Sequence, residues 1–178
     1  YINENDKQIT EIKPSIGLLV RLKILSLRSN NIHTLPIEIT KLDPNTLTKV
    51  DMSNNPVWKQ LSWEQNNIQR FPLILLQFIE LETLILHGNY IKTIPNDIYK
   101  LKGLQVLDLS NNSIVSSGLP KSILKLTALH ENQGLNIRNN PISSKLTLNG
   151  IKTSDTGTCL NVLLYSLQSS LKELDLSN

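Results

Sequence analysis

The 178 residues carry 18 Lys and Arg against 15 Asp and Glu, a net charge of +3 too small and too scattered for a nucleic-acid footprint. Hydrophobic residues make up 39% and aromatics 4%, and no apolar run approaches the 20 residues a membrane helix needs, so the core is aliphatic and no membrane span is expected. A lone cysteine, Cys159, rules out a disulfide framework built from this chain alone.

The chain opens on "YINENDKQI", which holds or follows a strand, and "IKPSIGLLVRL" from Ile12 reads as the returning half of the same unit. Next comes "LKILSLRSNNIHTLP", with apolar positions Leu22, Leu25, Leu27, Ile32 and Leu35 around Asn30. Helical spacing fails at Leu25 and Leu27, and strand alternation fails beyond Ser29, so the backbone turns at Asn30. The segment returns as "LTKVDMSNNPV" from Leu47, "LETLILHGNYIKTIP" from Leu81 and "LQVLDLSNNSI" from Leu104. Further copies are "NQGLNIRNNPI" from Asn132 and "LKELDLSN" from Leu171. Behind the copies run "LPIEITKL" from Leu35, "IPNDIYKL" from Ile94 and "LPKSILKL" from Leu119. Their shared spacing, with proline at the opening, fits one or two turns of α or 3₁₀ helix.

Three stretches break the period. Between Leu47 and Leu81 the chain is 11 residues longer than one 23-residue step, and residues 58–67 are read as an insertion on one long coil. Trp58, Leu61, Trp63, Asn66 and Ile68 also fit the repeat, but a full coil there lacks its returning half. Trp58 and Trp63 either cover the edge of the core or anchor an interface. Residues 130–134 form a short second insertion. The third, 143–170, contains Leu160, Leu163, Leu164 and Leu167 at helical spacing, and Cys159 falls on that helix as a small apolar side chain.

These residues resemble the leucine-rich-repeat family, whose pattern is L-x-x-L-x-L-x-x-N-x-L. The L-P-x-x-I-x-x-L outer half resembles the 23-residue subclass of intracellular Ras-pathway and cell-polarity scaffolds. The resemblance implies an α/β solenoid over residues 1–178: a horseshoe of about seven coils, with a parallel concave sheet and short helical or 3₁₀ convex segments. Asn30, Asn55, Asn89, Asn112 and Asn140 then stack as a ladder, since a side-chain amide both donates and accepts where a corner strands buried backbone groups. Neither end offers a polar cap, so the natural protein is expected to be longer.

No motif for chemistry emerges. His33, His87 and His130 lack metal-ligand spacing. Cys159 has no histidine and carboxylate placed by any motif, and phosphate loops, nucleophile elbows and kinase signatures are absent. Asp51, Asp108 and Asp175 share one repeat position, interrupted by Ile85 and Asn136, and read as a solvated acidic stripe rather than a catalytic pair. No cofactor, metal or small-molecule substrate is expected. The candidate protein-binding residues are the outward strand positions: Ser26, Arg28, Asp51, Ile85, His87, Asp108, Asn136, Arg138 and Asp175.

The expected function is a non-catalytic protein-interaction module or scaffold subunit in the cytoplasm, with ciliary and cytoskeletal complexes as one setting. Its partner is a protein. Two alternatives stand: the recognition arm of a larger signalling enzyme (kinase, phosphatase or ubiquitin ligase), and a secreted effector or receptor ectodomain, whose marks are cysteine-rich caps.

Overall fold

A computed structural model describes residues 1–43, 45–131 and 134–142 of the chain. The third irregular stretch, its helix, Cys159, Asp175 and the final repeat copy lie outside the described residues.

Among the described residues seven short strands follow one another: β1 (Ile2–Asn3), β2 (Ile24–Ser26), β3 (Lys49–Asp51), β4 (Gln60–Ser62), β5 (Thr83–Ile85), β6 (Val106–Asp108) and β7 (Leu135–Asn136). All pairings are parallel, and they keep equivalent repeat positions side by side: Ile2 beside Leu25, Leu25 beside Val50, Leu61 beside Leu84, Leu84 beside Leu107, Leu107 beside Leu135. Parallel neighbours need a crossover, which the outer half of a coil supplies between each pair of bonded strands.

The outer halves are 3₁₀, not α. Pro36, Pro72, Pro95 and Pro120 stand just before the turns Ile37–Lys41, Leu73–Gln77, Asn96–Lys100 and Lys121–Lys125, and Pro14 opens the turn Pro14–Leu18. Each turn is closed by i to i+3 bonds, as where Ile39 N–H donates to Pro36 O and Leu42 N–H to Ile39 O. Six residues separate the inward pairs Leu35 and Leu42, Ile94 and Leu101, and Leu119 and Leu126, which leaves room for one such turn. One α-helix, α1 (Thr127–Glu131), precedes β7.

Apolar residues at equivalent positions stack into one continuous core. Leu25, Leu84 and Leu107 come from the strands and Met52 and Leu109 directly follow them, Ile32, Val57, Ile91 and Ile114 follow the corners, and Ile39, Leu75, Ile98 and Ile123 come from the outer turns. Most are fully shielded from solvent. At about 25 cal/mol per Å² of apolar area removed from water, this aliphatic stack is the main favourable contribution to folding.

Residues 58–67 differ from the expected insertion on one long coil. They contain β4, which starts a coil of its own. Val50 and Leu61 are 11 residues apart, and the 3₁₀ turn Pro56–Trp58 carries the chain from one strand to the next without an outer half. The sheet parts at that step: β1, β2 and β3 form one sheet, and β4, β5, β6 and β7 the other. Since the β3 coil lacks an outer turn, Ile37–Lys41 packs directly on Leu73–Gln77.

Candidate functional site

Each coil corner is organised around its asparagine. The Asn55 amide nitrogen donates to Met52 O of its own coil and Leu27 O of the preceding one, at 3.0 and 2.8 Å, while its Oδ1 accepts from Ile32 N–H at 3.0 Å. Asn112 repeats this with Leu109 O, Leu86 O and Ile91 N–H, and Asn140 with Ile137 O, Leu109 O and Ile114 N–H. Asn30 and Asn89 each accept two backbone N–H bonds, from Lys7 and Ile9 and from Asn66 and Ile68. Asn55, Asn89, Asn112 and Asn140 are buried, and Asn30 is half-buried.

The residue before each of these five is in the left-handed region: Ser29, Asn54, Gly88, Asn111 and Asn139 have φ between 51° and 67°. That conformation reverses the chain within the packed layer, and Gly and Asn adopt it with least strain. In the coil of β4 the ladder position falls on Asn66, which is exposed and whose side-chain amide donates to Glu64 O at 2.8 Å, while Gln65 and Asn67 on either side both have positive φ. The amide chain, like the sheet, is interrupted between Asn55 and Asn66.

With the corners fixed, the strands point alternate side chains away from the core. Of the residues expected there, Arg28 is exposed, whereas Asp51, Ile85, His87, Asp108, Asn136 and Arg138 are half-buried. Ser26 is buried at 8% exposure, because Asn5 of the first coil covers it: Asn5 Oδ1 accepts from Ser26 Oγ at 3.0 Å and from Arg28 N–H at 2.8 Å.

Asp51 and Asp108 are not the freely solvated stripe expected of them. Each folds back on the serine two residues later. Asp108 Oδ1 accepts from Ser110 N–H and Oγ at 2.9 and 2.6 Å, and Oδ2 accepts from Asn136 Nδ2 at 3.1 Å. Asp51 holds Ser53 in the same way, and the Ser53 hydroxyl is the main reason its carboxyl titrates below the usual value, helped by the backbone N–H and by Lys49 and Arg28. Around Asp108 the network spreads over three strands: His87 Nδ1 lies 2.9 Å from Ser110 Oγ, and Asn139 Nδ2 donates to Asn111 Oδ1 at 2.9 Å.

The most accessible strand positions are others. Lys49, Gln60, Ser62 and Val106 are exposed, and Ile24 and Thr83 half-exposed. The outward residue just before the first inward leucine was overlooked as a candidate, although alternation extended back by one residue marks it. Among the described residues no group of three or more His, Cys, Asp or Glu gathers to hold a metal, and no helix is long and apolar enough to cross a membrane.

Family models described as "Leucine Rich repeats (2 copies)" and "Leucine Rich Repeat" match residues 79–121 and 21–42. The coils are leucine-rich repeats. The leucine-rich-repeat chain is 31% identical over 138 residues to the probable serine/threonine-protein kinase pats1 of Dictyostelium discoideum, a match covering 74% of this chain and 4% of that protein. It is 34% identical over 110 residues to Leucine-rich repeat-containing protein 66 of Homo sapiens, covering 61% and 11%. Lumican of Gallus gallus is 29% identical over 126 residues, covering 70% and 33%. The chain thus spans a third or less of the length of these relatives. A solved leucine-rich-repeat protein of Leptospira interrogans is 26% identical with a TM-score of 0.41, covering 78% of this chain and 48% of that one.

Proposed function

We propose that this chain is a non-catalytic recognition module that binds a protein partner across the outward strand positions of its leucine-rich-repeat sheets. One observation carries this reading. Between bonded strands the parallel ladder uses up the backbone, so what β2 and β3 in one sheet and β4 to β7 in the other offer a partner is side chains at fixed spacing, mixed in charge and rich in hydrogen-bonding groups. Arg28, just after β2, and Lys49 on β3 belong to adjacent coils of one sheet, and Gln60 and Ser62 stand on β4 and Val106 on β6 of the other, with β5 between them. Ile85, His87, Asp108, Asn136 and Arg138 form the half-buried floor, and Asp175 belongs to the same proposed face by its repeat position. Rigid strands supply pre-organisation, which lowers the ordering cost of binding.

The module is assigned to the cytoplasm, in scaffolds of the L-P-x-x-I-x-x-L kind, with ciliary or cytoskeletal assemblies as a setting. A second reading, the recognition arm of a larger signalling enzyme, is favoured by the relatives pats1 and the adenylate cyclase of Schizosaccharomyces pombe, of which the matched segments cover 4% and 7%. The two readings share the binding face and differ in what else the full-length protein contains.

Affinity purification of the full-length protein with mass spectrometry supplies the partner. Its capture is then measured for Arg28→Glu with Lys49→Glu, and for Ser62→Lys with Val106→Lys. At least one pair is expected to weaken capture by about tenfold or more with an unchanged melting temperature. Capture at full strength by both pairs removes the strand face as the binding surface.

A further inference from the structure

The half coil leaves a mark on the flank of the solenoid. Without an outer turn between them, Ile37–Lys41 and Leu73–Gln77 meet along a groove of about 630 Å³, bounded by Ile37, Thr40 and Leu42 on one side and by residues 66–74 on the other. A second groove, of about 750 Å³, lies between residues 69–73 and 90–95 and reaches Ser113. Gln69, Arg70, Phe71 and Leu73 line both, so this short segment is a ridge with a trough on each side.

The ridge and its far wall combine two features. Leu73 and Tyr90 are 46% and 56% exposed, large apolar surfaces with Phe71 buried beneath them at 5%. Arg70 and Lys92 are exposed beside them, and no carboxylate lines either groove. Asp97, two residues beyond the lining Pro95, pairs with Lys100 at 2.6 Å. Among the described residues, no carboxylate pairs with Arg70 or Lys92. Two unneutralised cations against apolar surface call for a partner that is acidic and apolar at once. None of the outward strand residues lines these grooves, so the site is distinct from the strand face.

We propose that the Arg70 ridge docks a short acidic peptide segment of a partner protein, an apolar side chain seated against Phe71, Leu73 and Tyr90 and flanking carboxylates on Arg70 and Lys92. Arg70 can grip a carboxylate with two parallel N–H bonds, while Lys92 acts as a point charge. A nucleic acid fits less well. Two cations neutralise too few phosphates to hold one, and the net charge of +3 adds no wider basic field.

The test is fluorescence anisotropy on the full chain with three labelled twelve-residue peptides. One alternates Glu and Asp with Leu and Phe, one has every acid replaced by Lys, and one keeps the acids with Ser in place of Leu and Phe. The first is expected to bind about tenfold or more tightly than the other two. Arg70→Glu with Lys92→Glu is expected to reverse the preference between the first and second, and Tyr90→Ser to weaken the first, while Arg28→Glu with Lys49→Glu changes nothing. If the reversal pair unfolds, Arg70→Ala with Lys92→Ala takes its place and is expected to abolish the preference. Equal binding of the first and third peptides, affinity unchanged by the charge variants, or no binding of the first overturns the proposal. So does displacement of the first peptide by a single-stranded DNA twelve-mer at lower concentration. Since this site shares no residue with the strand face, loss of either leaves the other standing.

Discussion

Trp63 donates its indole Nε1–H to the carbonyl of Leu35, 28 residues earlier in the chain, at 2.9 Å. The bond joins the two sheets where their strands do not pair. Other coils place Leu27, Met52, Leu86, Leu109 or Ile137 at the position Trp63 holds, and none of these can donate. Trp63 is 4% exposed, so Leu35 O has no ready access to water if the indole is lost. Trp63→Phe is expected to cost about 1–3 kcal/mol for the stranded carbonyl, and Trp63→Ala about 3–5 kcal/mol with the added cavity. Urea denaturation measures both. A Phe variant as stable as the parent rules out a structural role for the cross-sheet bond.

The ladder yields a paired comparison within one protein. Asn89 is 3% exposed, accepts from Asn66 and Ile68 N–H, and donates to Trp63 and Leu86 O. Asn66, its counterpart one coil earlier, is exposed, and its side-chain amide donates to the neighbouring Glu64 O. Asn89→Ala is therefore expected to lose about 1–3 kcal/mol by stranding buried backbone groups, and Asn66→Ala to stay within about 0.5 kcal/mol. Equal losses in thermal or urea unfolding count against the ladder bonds as the cause.

Much of this architecture is legible in the residues because each repeat position has one dominant physical demand. An inward strand position needs an aliphatic side chain, a corner needs an amide, an outer turn starts well at proline. The half coil is harder to read for the same reason: Leu61, Trp63, Asn66 and Ile68 satisfy the inner pattern, while the coil before them, of β3, has no outer half. Pattern matching therefore favoured an insertion, where the chain instead makes a strand and omits the crossover. The binding face was only partly legible. Outward direction follows from alternation, but solvent access depends on neighbours: Asn5 buries Ser26, and Asn136 binds Asp108. Such contacts join residues 21 to 28 positions apart, and no local spacing reports them.

The left-handed corners set up a third test. Asn111 has φ 51° and is exposed, and Val and Gly both remove its solvent-exposed side-chain bonds to Asn139 and His87, so the difference between these two variants reports the backbone. Asn111→Val is expected to destabilise by about 1–3 kcal/mol, since a β-branched residue is poorly tolerated at positive φ, whereas Asn111→Gly is expected to be nearly neutral. At Gly88, with φ 67°, a new Cβ meets Gln65 Cγ at 3.1 Å, so Gly88→Ala carries a steric cost as well. Similar melting temperatures for Asn111→Val and Asn111→Gly contradict the conformational argument.

Acid stability isolates Asp51. Its carboxyl sits below the usual value near 3.8, chiefly because the Ser53 hydroxyl donates to the ionised form. A lowered folded-state value means that the stabilisation is fully present above about pH 4 and is lost as pH falls through the folded-state value beneath it. Asp51→Asn keeps an oxygen acceptor for Ser53 and removes the titration. Urea midpoints for parent and variant are therefore expected to differ at pH 7 and to converge as pH is lowered toward 2. Asp43, held down by Thr46 and Asn45, titrates in both proteins and drops out of the difference. A gap that stays constant from pH 7 to the acid limit excludes Asp51 as a source of the acid sensitivity.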